Sequence, residues 1–243
     1  MKMLSRYCRI AVVLTTTALL GACASTSGPK EDPYALFRQF MPESILVLPA
    51  VNESVDVGAS YSWLTTATQP IAEQGFYVFP VAVVDEFMKE NGLPNPEDMH
   101  AAPLNKFGEI FGADAVMYVT IEEFGQKFEL VQSVTKVWAR AELVHVETGQ
   151  LLWRDRVQFS EANSSSSGGG LVGLLVNAAV AQVGNSLTDA AHDASRIANV
   201  RLFQTRGEGL LLGPDHPGFD QQMADAQAKA AELEAQIVPD APQ

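Results

Sequence analysis

Leu20-Gly21-Ala22-Cys23 is the short stretch whose residue types and spacing name a reaction. A cysteine directly after small residues presents the thiol that a lipoprotein transferase alkylates, and cleavage then leaves the lipidated Cys23 at the start of the mature chain. The residues before it fit that chemistry. Lys2, Arg6 and Arg9 make a basic start, and Ile10 to Leu20 make an apolar core of 11 residues. That core falls short of the roughly 20 residues a membrane-spanning helix needs, so residues 1–22 read as a lipoprotein signal peptide. Ala24 follows the anchor where an aspartate would favour retention, which points to the outer membrane, mainly its periplasmic face. Two or more acyl chains, palmitate among them, hold a domain stably where one does not. Cys8 leaves with the signal and Cys23 carries lipid, so no thiol is left for a disulfide, a metal or a nucleophile.

No other stretch names a reaction. His100, His145, His192 and His216 are far apart and match no zinc-binding or H-E-x-x-H arrangement. Asp189, His192 and Asp193 share one predicted helix, but three residues on little more than one turn do not close a coordination shell and read as a solvated face. There is no G-x-S-x-G elbow. The pairs Glu122-Glu123 and Asp85-Glu86 are adjacent, which sends their side chains to different sides of an element. Gly168, Gly169, Gly170 and Gly173 do not fit the phosphate-binding G-x-x-x-x-G-K-[ST] pattern, and the only basic residues between Lys136 and Ala194 are Arg140, Arg154 and Arg156. The sequence therefore offers no catalytic residue, no metal site and no cofactor.

Composition narrows the partners. Residues 1–22 hold three basic and no acidic residues, so their removal takes the net charge from -13 to -16. Such a chain is a poor partner for nucleic acid. With 47% hydrophobic residues it can build one sizeable core. Residues 23–33, small, polar and broken by proline, read as a lipidated tether, residues 34–214 as the folded domain, and residues 215–243 as an acidic helical or mobile tail.

The elements that position this domain follow from periodicity. Ser44 to Ala50 and the run FYVFPVAVV from Phe76 suit buried strands, with a helix over Tyr61–Gln74 that Pro70 should end or kink. A strand-helix-strand unit of this kind pairs in parallel by crossover. Helices are expected over Val83–Asn91 and Leu104–Phe111, with a proline-containing loop between them, and a third, central strand at ADAVMYVTIEEFG. From Lys127, Val137, Ala139, Ala141 and Leu143 alternate with Trp138, Arg140 and Glu142. After the Glu147–Gln150 turn, Trp153, Val157 and Phe159 alternate with Arg154, Arg156 and Gln158, a half-solvated hairpin. Asn185–Phe203 reads as a helix, GEGLLLGPDHPG as an irregular segment holding the chain to the domain, and Asp220–Ile237 as a helix whose Met223, Ala226, Ala230, Leu233 and Ile237 step like a short seam.

Ser164 to Gly170 reads as a polar loop leaving the hairpin. Leu171 to Val183 is too short, and with Asn177 and Gln182 too polar, to span a bilayer. Its apolar residues occur at every helical angle, so Leu171, Leu175, Val176, Val180 and Val183 are expected to pack on the sheet or on a second copy.

The segments SILVLPAVNES, FYVFPVAVVDEFMKENGL, FGADAVMYVTI, ETGQLLW and NSLTD, in this order, resemble a family of outer-membrane lipoproteins of unknown function typified by a genome-derived Neisseria antigen. The resemblance covers residues 32–214. That family is similar to the N-terminal domain of TolB and, more distantly, to CsgG, with which it shares a T-G-x-x-x-W step, here Thr148-Gly149 to Trp153. The resemblance implies an α/β fold, a mixed β-sheet with helices packed against it, here followed by a C-terminal helical tail. It brings no catalytic residues and implies a component of an envelope assembly or secretion system. The expected function is a non-enzymatic periplasmic protein-interaction component, attached to the membrane at Cys23, partnered by other envelope lipoproteins, CsgG-like ones included, and able to form a homo-oligomer. A pore or channel subunit of a CsgG-like complex and a small-ligand-binding periplasmic domain are the alternatives.

Overall fold

A computed structural model describes residues 32–129, 132–163 and 186–237. Cys23 and the apolar positions Leu171, Leu175, Val176, Val180 and Val183 lie outside them. The described residues from Tyr34 onward form one unit. Its elements in chain order are α1 (Ala35–Gln39), β1 (Ser44–Val47), β2 (Val51–Asn52), α2 (Ala59–Glu73), β3 (Tyr77–Val78), α3 (Val81–Glu90), α4 (Pro96–His100), α5 (Leu104–Phe111), β4 (Ala115–Glu129), β5 (Gln132–His145), β6 (Leu151–Asn163), α6 (Ser186–Gln204) and α7 (Phe219–Ile237).

The sheet runs β3-β1-β4-β5-β6, with β2 also on β4. β1 pairs in parallel with β3 and β4, and β4, β5 and β6 pair antiparallel. The mixed sheet and its parallel crossover are those expected, and β4 is central. All four residues of β1 are buried because helices cover both faces there. On one face Ile45, Val47, Met117, Val119, Ala139 and Leu143 pack with Trp63, Ala67 and Ile71 of α2 and Ala191, Ala194 and Ala198 of α6. On the other, Leu46, Leu48 and Val116 meet Val84 and Met88 of α3, Met99 of α4 and Phe107 of α5. Past this end, β5 and β6 keep the second face wet, which is why their sequences alternate.

Three elements depart from the expectation. α2 does not end at Pro70: the ring is buried and the helix runs on to Glu73, so core packing outweighs the one intrahelical bond that proline cannot donate. The run from Phe76 is a strand only over Tyr77–Val78, because Pro80 caps a helix whose Val84 and Met88 face the core. The proline-containing loop holds α4, started by Pro96 and capped by Asn95 Oδ1, which accepts from the Asp98 N–H at 2.9 Å.

The irregular stretch after α6 is held to the domain. Leu210 and Leu211 are buried, the Gly213 N–H donates to the Gln74 carbonyl at 2.7 Å, and Asp215 N–H to Gly75 at 3.2 Å. A Cβ at Gly213 would come within 2.4 Å of the Gly75 oxygen, so the two stretches of chain touch only because glycine stands there. In α7, Met223 and Ala226 are half-buried, and every side chain from Gln227 to Glu232 is exposed.

Candidate functional site

The wet face of β4, β5 and β6 gathers most of the sheet's charge. Arg140 and Arg156 stand directly opposite one another across β5 and β6, a repulsive pairing if left alone. Glu122 resolves it: one carboxylate oxygen accepts from Arg140 Nη1 at 3.1 Å and the other from Arg156 Nε at 3.1 Å and from Arg156 Nη2. Arg140 Nη2 also reaches Glu53 at 3.2 Å. The Arg156 hydrogen bonds, then its charge and Arg140, hold the Glu122 carboxyl below the usual carboxylate range against the opposing effect of burial.

Glu122 reaches this face because the ladder between β4 and β5 shifts between Ile121 and Glu123. Such a bulge sets two residues against one. Glu123, opposite Trp138 in the ladder, then pairs with Lys127 on the same side as Glu122. The two glutamates, expected on opposite sides, therefore share the wet face. The signal was in the sequence: Ile121 and Phe124 are both buried, and two glutamates between them cannot be placed on a strict two-residue alternation. Beside them Lys136 lies over the Trp138 ring, 5.9 Å from its centroid, and Glu142 stands opposite Arg154. At its centre Glu122, Glu53, Arg140 and Arg156 satisfy one another's charges.

The other singled-out residues do not converge. Asp85 pairs with Lys89 at 2.6 Å along α3, and Glu86 is exposed. His192 is exposed with Nδ1 3.2 Å from Ser62 Oγ, Asp193 is exposed, and the Asp189 side chain lies outside those described. Among the described residues no three histidine, cysteine, aspartate or glutamate side chains come together as a metal would require.

Two polar features escaped the sequence reading. Between α2 and α6, Thr66 Oγ1 lies 2.8 Å from Ser195 Oγ and accepts from Asn199 Nδ2 at 2.8 Å, with Ser195 and Asn199 fully buried. Alanines around Ser195 and Asn199 gave them the look of filler on a helix face. On the other side of the sheet, His100 Nε2 donates to the Pro49 carbonyl at 2.9 Å and its ring meets Tyr118 edge to face. Burial lowers the His100 pKa, with the Pro49 bond and Glu97 opposing, and burial raises that of Tyr118.

The T-G-x-x-x-W step has a structural use. Gly149 takes a positive φ of 69° in the turn, and Trp153 Nε1 donates to the Glu208 carbonyl at 2.9 Å, tying β6 to the segment after α6.

Comparison with known proteins bears on the whole domain. The family model "Putative lipoprotein GNA1162-like" matches residues 32–215. A Neisseria meningitidis serogroup B protein named "Putative lipoprotein NMB1124/NMB1162" is 42% identical over 202 residues, 83% of this chain and 93% of that one. The crystal structure of lipoprotein GNA1162 from Neisseria meningitidis is similar at 44% identity with a TM-score of 0.49, over 59% of this chain and 99% of that one. The C-terminal domain of LpoB from Salmonella enterica is similar at 15% identity with a TM-score of 0.38, over 54% of this chain and 96% of that one. The match over residues 32–215 and the 42% identical relative place the chain in the GNA1162-like lipoprotein family.

Proposed function

We propose that this protein is a non-enzymatic lipoprotein of the outer membrane, acylated at Cys23 and facing the periplasm, that works by binding other envelope proteins in an assembly or secretion system. The observation that carries the reading is membership of a lipoprotein family in a chain whose Leu20 to Cys23 stretch has the residue types and order of a lipidation site. The anchor fixes the domain at a surface, where a second binding event gains from effective concentration. The wet face supports a binding role: Glu122, Arg140, Arg156 and Glu53 hold their geometry through one another, so a partner meets polar groups already ordered. Mild crosslinking in native membranes, followed by isolation of the wild-type protein and of Cys23→Ala, tests the proposal. Wild type should carry a stoichiometric envelope partner that Cys23→Ala loses. Recovery of wild type alone, with no partner and no self-assembly, would refute it.

A further inference from the structure

A strand at the end of a sheet leaves one side of its backbone unpaired, and such an edge takes up another strand unless something blunts it. Three edges of this sheet differ in that respect. β3 is only two residues long. β4 loses its β2 neighbour after Ile121, and from there it is interrupted by the bulge before Glu123 and by Gly125, whose φ is 101°. The Asp56 carboxylate also lies against Gly125, with Oδ2 3.5 Å from where a Cβ would stand. β6 has no such interruption. It pairs with β5 at every residue from Trp153 to Asn163, without glycine or proline. Among the described residues, no main-chain group from Arg154 to Glu161 bonds to main chain outside that ladder. In an antiparallel pair alternate residues turn both their N–H and their carbonyl away from the partner strand. This stretch therefore presents an ordered row of donors and acceptors to whatever lies beside it.

Side chains set what the neighbour must be. Along the wet side Arg154, Arg156, Gln158 and Ser160 are exposed. Arg156 is engaged by Glu122, whereas Arg154 makes no ion pair among the described residues even with Glu142 opposite it on β5. On the other side Val157 and Phe159 are buried, with Arg201 of α6 over the Phe159 ring at 4.9 Å. Asp155 stands on that same side, half-buried between Trp153 and Val157 and opposite Ala141. Burial raises its pKa; the Arg156 backbone N–H beside it opposes this and Glu208 adds to it. An apolar residue laid next to Asp155 would bury the carboxylate further without a partner, which turns away apolar strands. A residue that donates a hydrogen bond or carries positive charge would satisfy it.

A second copy supplies neither charge. The wet side of β6 holds no acidic residue from Arg154 to Ala162, so a second β6 laid antiparallel with its faces continuous offers Arg154 no carboxylate in any register. With full overlap it also sets Asp155 against Glu161. We infer that β6 takes up an extended segment of a different envelope protein as an added strand. That segment places a carboxylate beside Arg154 and, on the adjacent residue, a basic or hydrogen-bond-donating side chain beside Asp155. Neighbouring residues of a strand point to opposite faces, so an acid next to a base in sequence is the pattern the partner carries. The inference rests on the proposed binding role and names the kind of partner and where it binds.

A benzophenone side chain placed at Gln158 or at Ser160 of the full-length protein, irradiated in native membranes, reads this geometry. The two positions lie on one side of β6, two residues apart. They should crosslink to one segment of one partner protein, at residues that are also two apart, and that segment should carry the adjacent acid and base. Arg154→Glu should lower both yields about tenfold, while Arg154→Lys keeps them. Crosslinks only between copies of this chain, crosslinks without the two-residue step, none from either position, or an undiminished yield from Arg154→Glu overturns the inference. If the wild-type protein still carries a stoichiometric envelope partner in any of those cases, the binding role stands and only its placement on β6 has failed.

Discussion

Thr66 Oγ1 and Ser195 Oγ, 129 residues apart in sequence, sit 2.8 Å apart in the buried seam between α2 and α6. Asn199 Nδ2 completes the cluster by donating to Thr66 and more weakly to the Trp63 carbonyl at 3.4 Å. The seam fixes how α6 lies on the sheet: apolar burial alone would tolerate sliding, whereas these bonds form in one register.

Thr66→Val removes a hydroxyl that serves both Ser195 and Asn199 and leaves each short of a buried partner. Denaturant unfolding should show a loss of about 2 kcal/mol, within the range for orphaning buried polar groups. Adding Ser195→Ala should cost less than the sum of the two single changes, because the partners are coupled. Strict additivity would mean the hydroxyls act independently.

Glu122→Gln removes the shared acceptor between Arg140 and Arg156. The variant should be less stable at neutral pH by about 1 kcal/mol, a modest figure because both arginines are half-exposed. Since the folded carboxyl titrates below its unfolded value, the contribution is fully present above about pH 5 and disappears as pH falls through the lower, folded value. Unfolding curves of wild type and variant should therefore converge in acid. A gap that persists at about pH 2, below the carboxylate range, would show that the loss is steric.

His100 gives a pH dependence of the same sign from a different cause, the burial of a neutral ring. Its folded pKa is lowered, so the unfolded chain takes up a proton first, and stability should fall as pH drops below about 6.5. His100→Gln should flatten this slope between about pH 7 and pH 5, the range in which histidine titrates. An unchanged slope would assign it to another group.

Trp153→Phe keeps an aromatic ring against Phe203, whose centroid is 5.9 Å away, and deletes the bond to Glu208. Hydrogen exchange should speed up around residues 205–211 with stability reduced by about 1 kcal/mol. Protection unchanged there would remove the tie from the account of this step.

The elements legible in the sequence were those whose burial is one-sided or whose ends carry strong signals. α5 with its left-handed Gly112 cap, the alternating β5–β6 hairpin and the central β4 are of this kind. What was not legible depends on contacts far apart in the chain. Nothing local to Val51-Asn52 says that β2 will pair with Thr120 and Ile121, nor that Phe37 in α1 is wholly buried. The Thr66 seam and the Glu122 cluster join residues from separate elements, and the bulge that brings Glu122 and Glu123 to one face breaks the alternation used to read the strand. The proposed lipidation site needs no tertiary contact at all, so the proposal for Cys23 is read from a few residues alone.

Cys23→Ala separates the anchor from the fold. Labelled palmitate should be incorporated by wild type and not by the variant, and the variant should leave the outer-membrane fraction while its domain still unfolds cooperatively. Equal labelling of the two would move the acylation elsewhere.

The most direct measurement is mass determination of crosslinked complexes isolated from native membranes through the wild-type protein. The expected result is a defined complex with one or more envelope proteins, at fixed stoichiometry and dependent on Cys23. Wild type recovered only as an isolated chain, under conditions that capture known neighbours in the same membranes, would contradict the interaction role.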